Sequence, residues 1–203
     1  APSGLEKALR ALPVLGIEGT NVTVPHKEEA FKIVDAMDDT ARRIGAVNTI
    51  TATDDGKLTA TNTDAFGFVE ALRARAPGWD PTLNPAAILG AGGASRAIIV
   101  ALLDLGVPEI RIMNRTPKRS QALADEFGAP LASSPWAERA SALQDVGLLV
   151  NTTTLGMQGQ PALDLQLDDL PEHAVVNDIV YAPFHTPLLL AAKAKGNVIV
   201  DGL

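Results

Sequence analysis

The sequence predicts an α/β fold, and three observations carry that prediction. Beyond Leu83, short apolar runs alternate with helical patterns, the signature of a parallel sheet covered on both faces. One such run, Ala86–Leu89, passes through Gly90-Ala91-Gly92-Gly93-Ala94-Ser95 into a helical pattern, which is where a dinucleotide turn belongs. The residues before Ala76 read differently, with a β-hairpin and shorter elements, and Ala76-Pro77-Gly78-Trp79-Asp80-Pro81 reads as a linker. The expected architecture is a Rossmann-type parallel-sheet domain over residues 83–203, preceded by a smaller α/β domain over residues 1–82.

Taken in order, Leu5–Leu12 reads as a short helix and Gly19–Val24 as a strand closed by Pro25. Glu28–Met37 reads as an amphipathic helix with Ala30, Phe31, Ile33 and Val34 on its apolar face. Val47–Thr53 and Lys57–Thr61 flank Asp54-Asp55-Gly56, a hairpin signal because glycine supplies the positive φ. Ala65–Ala74 is then helical. Ala86–Leu89 is a strand, and Ser95–Leu105 a helix stopped by Gly106. Glu109–Met113 is the next strand; Thr116 caps a helix carrying Pro117 in its first turn and ended by Gly128. Gly147–Val150 and Val175–Ile179 are buried strands. Thr186-Pro187 starts a helix that runs to Lys195 and stops at Gly196, before a last strand at Asn197–Val200.

Composition narrows the function classes. The 203 residues are 46% hydrophobic and 20% charged, the profile of an ordinary globular chain. No apolar run approaches the roughly 18 residues that cross a bilayer, and no segment reads as a signal peptide. With no cysteine, disulfides and thiolate metal sites are excluded, which fits a cytoplasmic protein. The net charge of −7 argues against a general nucleic-acid surface.

The glycine turn assigns a ligand class. Gly90 permits the tight turn, Gly92 lets backbone approach a pyrophosphate, and the small Ser95 stands where a third glycine is usual. Free N–H groups and the positive end of the helix dipole face the phosphates. The next strand ends in Asn114-Arg115-Thr116, with Lys118 and Arg119 following, where an NAD-binding protein places a carboxylate for the ribose 2′-OH. Guanidinium groups there bind a 2′-phosphate that a carboxylate would repel, so NADP(H) is the expected cofactor. Basic residues at a helix start oppose its dipole, which argues for a local reason beyond solvation.

Two polar clusters mark the first half. In Asn21-Val22-Thr23-Val24-Pro25-His26-Lys27, Asn21 and Thr23 alternate with valines expected to be buried, and so share one strand face. In Asn62-Thr63-Asp64 the aspartate has a bland reading, that of a helix cap, just as Lys27 alone reads as a surface lysine.

Together these segments resemble the ordered motifs of the shikimate dehydrogenase family: Asn21–Glu28, Gly45-Ala46-Val47-Asn48-Thr49, Asn62-Thr63-Asp64, Gly90–Arg96, Asn114-Arg115-Thr116, Asn151-Thr152-Thr153 and Asp178-Ile179-Val180-Tyr181. The resemblance implies an enzyme that reduces 3-dehydroshikimate to shikimate with NADPH, on the way to aromatic amino acids, with residues 1–82 as substrate domain. It implies Lys27 and Asp64 as the catalytic pair and Asn21, Thr23, Asn48 and Tyr181 as substrate contacts. Gly90, Ala91, Gly92, Gly93, Ala94, Ser95, Asn114, Arg115, Thr116 and Arg119 match cofactor contacts, and Ile179 and Gly202 the nicotinamide side. A lysine beside an aspartate suits ketone reduction, because it supplies a proton and stabilises the developing oxyanion. No metal is called for, and His26, His173 and His185 read as structural or surface residues.

Family members open with a strand carrying a serine pair for the substrate carboxylate and close with a helix bearing a ring-contacting glutamine. Neither occurs here, so the substrate domain reads as incomplete, with ends at Ala1-Pro2-Ser3 and Val200-Asp201-Gly202-Leu203 that look cut. From this stretch alone, NADP binding is expected to outlast efficient turnover. A quinate/shikimate dehydrogenase and a catalytically impaired NADP-binding fragment remain as alternatives. The expected partners are a small-molecule substrate, no nucleic acid and no membrane, with the chain a monomer or homodimer.

Overall fold

The computed structural model describes residues 4–202; Ala1–Ser3 and Leu203, and so the outermost residues of both ends, lie outside them. Two sheets organise the chain. The first has four strands in the order β1-β3-β4-β2: β1 (Gly19–Asn21), β2 (Ala36–Met37), β3 (Thr49–Ala52) and β4 (Leu58–Thr61). The second has six, in the order β10-β9-β8-β5-β6-β7: β5 (Ala86–Leu89), β6 (Ile110–Met113), β7 (Leu131–Ser134), β8 (Leu148–Asn151), β9 (Val175–Asp178) and β10 (Val198–Val200). Every pairing in the second sheet is parallel. The chain runs outward from β5 to β7 and returns beside β5 with β8, so the strand order reverses between β5 and β8. A ligand crevice belongs at the carboxyl ends of those two strands.

Strand β5 shows why this sheet was legible. Its four residues are all buried; Ala86 and Ile88 enter one core cluster, Ala87 and Leu89 the other. Helices α5 (Gly93–Asp104) and α6 (Pro117–Phe127) cover the first face, and α7 (Pro187–Lys195) the second through Leu188, Leu189 and Ala192. Helix α4 (Asp64–Arg75) lies against α5 and β10, with Ala65, Phe68 and Leu72 in the core of the six-stranded sheet. That same cluster takes in Ile44 and Ala46, so its apolar packing is continuous into the first sheet's lobe.

The smaller lobe departs most from expectation. The strand expected to reach Val24 ends at Asn21, because β3 starts only at Thr49 and offers no ladder further on. Val22 N still donates to Asn48 O (2.8 Å), but a turn closed by His26 N on Thr23 O follows. Thr23 is therefore not on a strand face, and Val24 is 58% exposed rather than buried. The helix expected over Glu28–Met37 is α2 (Lys27–Ile33). Asp35 leaves it to accept from Leu58 N, and Ala36–Met37 pair with Thr59–Ala60 instead.

Helix α3 (Asp39–Ile44) and strand β7 were not foreseen, although Asp38 caps Ala41 N and Gly45 at φ 72° stops α3 with ordinary cap chemistry. Thr116 stands at the N-cap position of α6 but makes no capping bond; Thr186 does cap α7, through Leu189 N. Helix α1 (Leu5–Ala11) and the hairpin strands fall close to expectation. Arg43 and Asp104 tie α3 to α5 at the surface, a half-exposed pair worth about 0–1 kcal/mol after solvent screening.

Candidate active site

The crevice where the strand order reverses has two compartments. One, of about 230 Å³, is a cradle formed by Gly90–Ala94 with Asn114, Arg119 and Thr152–Thr154. Gly90 sits at φ 107°, and a Cβ there would lie 2.6 Å from Thr152 Oγ1, so both conformation and space demand glycine. Thr152 is held against β5 by its N–H and hydroxyl, which both donate to Leu89 O (2.8 and 2.7 Å). The first bond of α5 is Arg96 N to Gly92 O, which leaves the N–H groups of Gly93, Ala94 and Ser95 ahead of the helical ladder, those of Gly93 and Ala94 at the wall of the cradle.

Of the expected cofactor residues, Gly90, Ala91, Gly92, Gly93, Ala94, Asn114 and Arg119 line this cradle. Ser95 does not: it is buried, and its hydroxyl donates back to Gly92 O (2.6 Å), shaping the turn from beneath. Arg115 and Thr116 are exposed and stand outside the lining; Asn114 Nδ2 donates to Thr116 O (2.9 Å) and fixes the loop between them. Arg119 faces Glu28 across the lobes at 3.9 Å.

The second compartment, a cleft of about 460 Å³, lies between α4, α5 and the loop after β9. Thr23, Lys27, Asp64, Ile179, Tyr181 and Gly202 line it. Lys27 Nζ pairs with Asp64 Oδ2 at 2.5 Å, the two side chains being 12% and 27% exposed. Asp64 is thus no helix cap. Its other oxygen accepts from Asn48 Nδ2 (2.8 Å), and its N–H donates to Asn62 Oδ1 (2.9 Å). Asn48 also donates to Thr63 Oγ1, while its Oδ1 accepts from Thr63 N and Thr49 Oγ1. Both amide protons and both lone pairs of Asn48 are therefore used within the protein. Asn21 stands one layer back, its amide donating to Asn48 O and Thr49 Oγ1. Neither asparagine lines the cleft.

Lys27, Val24, Ala94 and Thr152–Thr154 border both compartments, so Lys27 stands on the seam. The lobes meet closely there: a Cβ on Gly93 would lie 3.1 Å from Lys27 Cβ. Opposite, a Cβ on Gly202 would lie 2.6 Å from Ile179 O, so these two positions pack backbone to backbone.

Behind Ile179–Tyr181 sits Asp178, fully buried. It accepts from Asn151 Nδ2, Val180 N and Thr186 Oγ1, and burial outweighs those bonds to push its carboxyl above the usual range. Asp178 and the three threonines received no role from the sequence reading. The available signal was the position of Asn151-Thr152-Thr153 at the end of the strand beside the glycine turn. His26 is half-buried at the start of α2, and His173 and His185 are exposed; among the described residues no three His, Cys, Asp or Glu stand together as a metal site. No helix among the described residues is long and apolar enough to cross a membrane.

Comparison with known proteins agrees with this geometry. Residues 1–50 match the shikimate dehydrogenase substrate binding domain, and residues 80–158 match shikimate / quinate 5-dehydrogenase. A shikimate dehydrogenase (NADP(+)) of Paramagnetospirillum magneticum is 57% identical over all of this chain and 74% of its own length. The chain belongs to the shikimate dehydrogenase family.

Among solved structures, the Thermus thermophilus shikimate 5-dehydrogenase in complex with NADP(H) and shikimate superposes with a TM-score of 0.84. It is 40% identical, over all of this chain and 73% of that one. A Corynebacterium glutamicum quinate dehydrogenase in complex with NAD gives a TM-score of 0.86 at 30% identity, over 98% of this chain and 71% of that one. The shikimate dehydrogenase fold thus extends over the whole stretch, both sheets included.

Proposed function

We propose that the protein is an NADP-dependent shikimate dehydrogenase that reduces 3-dehydroshikimate to shikimate in the route to aromatic amino acids. The observation that carries this is Lys27, paired with Asp64 of the cleft, standing on the wall common to the cradle and the cleft. When bound, the cofactor supplies the hydride. Lys27 Nζ holds the proton that the substrate oxygen takes, and its positive charge stabilises that oxygen as negative charge develops. Asp64 Oδ2 holds the ammonium in place, and Asn48, with every hydrogen-bonding position engaged, fixes Asp64.

In this reading Thr23 and Tyr181 offer hydroxyls to the polyhydroxylated ring, Asn48 acts on it through Asp64, and Asn21 supports Asn48. The N–H groups of Gly93 and Ala94 at the cradle wall take the diphosphate. Arg119, with Arg115 and Asn114, takes the 2′-phosphate, and Ile179 and Gly202 form the nicotinamide side. Residues 1–82 act as the substrate domain and 83–203 as the cofactor domain of a cytoplasmic enzyme, working as a monomer or homodimer.

Initial-rate assays pairing shikimate or quinate with NADP⁺ or NAD⁺ test the reading. Shikimate with NADP⁺ is expected to give the highest kcat/KM, and absence of shikimate-dependent NADPH formation would sink it. The match of residues 80–158 to shikimate / quinate 5-dehydrogenase favours quinate turnover as a second reading, which the same assays decide.

A further inference from the structure

Arg96 closes the glycine motif, yet it does not line the cradle. It leaves α5 in the opposite direction, towards the other lobe. Its guanidinium is only 11% exposed in the side chain and has partners on two elements, α3 and α6. Nε donates to Ile44 O, the last residue of α3; NH1 and NH2 donate to the two carboxylate oxygens of Glu126 on α6; and the carbon of the guanidinium lies 5.3 Å from the Phe127 ring centroid. The substrate-side lobe is shaped to receive it. A Cβ on Gly45 would lie 2.3 Å from NH2, and Gly45 sits at φ 72°, so the α3 stop is also the floor on which the guanidinium rests.

The segment that begins at this contact is the one that holds the catalytic pair. Ala46 O accepts from Asn62 Nδ2 (2.8 Å), Val47 N donates to Lys27 O (3.1 Å), and Asn48 Nδ2 donates to Asp64 Oδ1 (2.8 Å). Residues 44–48 are therefore a short rigid arm, with Arg96 gripping one end and Lys27, Asn62 and Asp64 fixed along the rest. We propose that Arg96 is a positioning residue: it couples the cofactor helix to this arm and sets where the Lys27–Asp64 pair stands relative to the cofactor cradle.

A planar fork that binds a carbonyl and a bidentate carboxylate together specifies an angle between elements, which a lysine ammonium does not. Hydride transfer needs reacting groups from both lobes within a narrow range of geometry, and a displacement of about 1 Å costs roughly 10²-fold in rate. Loosening the grip therefore lowers kcat while each lobe keeps its own ligand contacts.

The inference rests on the hydride-transfer reading above, so its test includes a measurement that needs no turnover. The sequence has no cysteine, and spin labels on Thr51→Cys and Lys193→Cys, both exposed and in different lobes, report the interlobe distance. Arg96→Met is expected to broaden that distance distribution. It is also expected to lower kcat for shikimate oxidation by about 10² while KM for NADP⁺ holds, and to raise the isotope effect from deuterium on the shikimate carbon that gives up the hydride. Arg96→Lys, which keeps the charge if Arg96→Met fails to fold, is expected to fall between. A folded Arg96→Lys or Arg96→Met protein with wild-type kcat, or with an unchanged distance distribution, overturns the proposal. A wild-type protein inactive on shikimate, with a distribution that still broadens in Arg96→Met, faults the hydride-transfer reading and leaves the coupling of the lobes standing.

Discussion

The two walls of the crevice prepare for their ligands by different means. On the six-stranded side the groups proposed to recognise the cofactor are mainly backbone: N–H groups at the start of α5, presented by a turn whose glycines leave room. On the four-stranded side they are side chains that hold one another, Asn48 to Asp64 and Asp64 to Lys27. A backbone site is indifferent to most side-chain changes and vulnerable to added atoms. A side-chain network has the opposite weakness, since removing one member strands its partners in a partly desolvated place.

The sharpest test of that contrast is Lys27→Ala, which removes both proton and charge. We expect a fall in kcat of about 10²–10⁴, with NADP⁺ affinity retained. Wild-type turnover in this variant, measured as NADPH formation, contradicts the catalytic assignment. Gly90→Ala tests the other wall by adding an atom. Positive φ costs roughly 1–2 kcal/mol and overpacking against Thr152 about 1–3 kcal/mol. NADP⁺ binding by fluorescence titration should weaken by about tenfold to a thousandfold; unaltered affinity would show that the turn is not the cofactor site.

Arg119→Gln probes the one arginine of the proposed 2′-phosphate group that lines the cradle. Arg119 is exposed, so we expect a modest loss of about tenfold in kcat/KM for NADP⁺ and none for NAD⁺. Equal losses with both cofactors would remove the 2′-phosphate role.

The smallest effect concerns Asp178, a side-chain network set into the backbone wall. The folded protein holds its proton more tightly than the unfolded chain does. The stability this contributes is complete below the ordinary value of 3.8 and is lost as pH rises through the raised folded value. Asp178→Asn lacks that component, so the excess stability of wild type over the variant should shrink as pH rises from 3.8, as read by urea unfolding. A pH-independent difference would mean that burial does not dominate this carboxyl.

What the sequence made legible follows from how each feature is encoded. Strand β5 was read to the residue, because four consecutive buried positions between two core clusters require four consecutive apolar residues. The glycine turn was legible for a similar local reason. Strand β1 was overextended, because Val22-Thr23-Val24 has strand chemistry and only the late start of β3 denies it a partner. The helix over Glu28–Met37 was overextended for the same kind of reason, since the pairing of Ala36–Met37 with β4 lies outside local propensity.

In the site, motif order brought Lys27 and Asp64 together on paper, but no spacing shows that Asn48 is consumed by Asp64. Ser95 and Thr116 fit their motif positions and yet shape the turns rather than face the cradle. The threonines after β8 entered the crevice through strand order, which a sheet acquires only when assembled.

Gly93 was read at first as one more glycine in a phosphate turn. In the folded chain its missing side chain is clearance for Lys27 on the opposite lobe: a Cβ there would sit only 3.1 Å from Lys27 Cβ, closer than ordinary van der Waals contact. The dinucleotide fingerprint is therefore also a spacer that sets the width of the seam between the two lobes at Lys27. Anyone re-engineering cofactor preference by transplanting a turn from another dehydrogenase, with alanine or serine at that position, would be resetting that width along with the phosphate contacts.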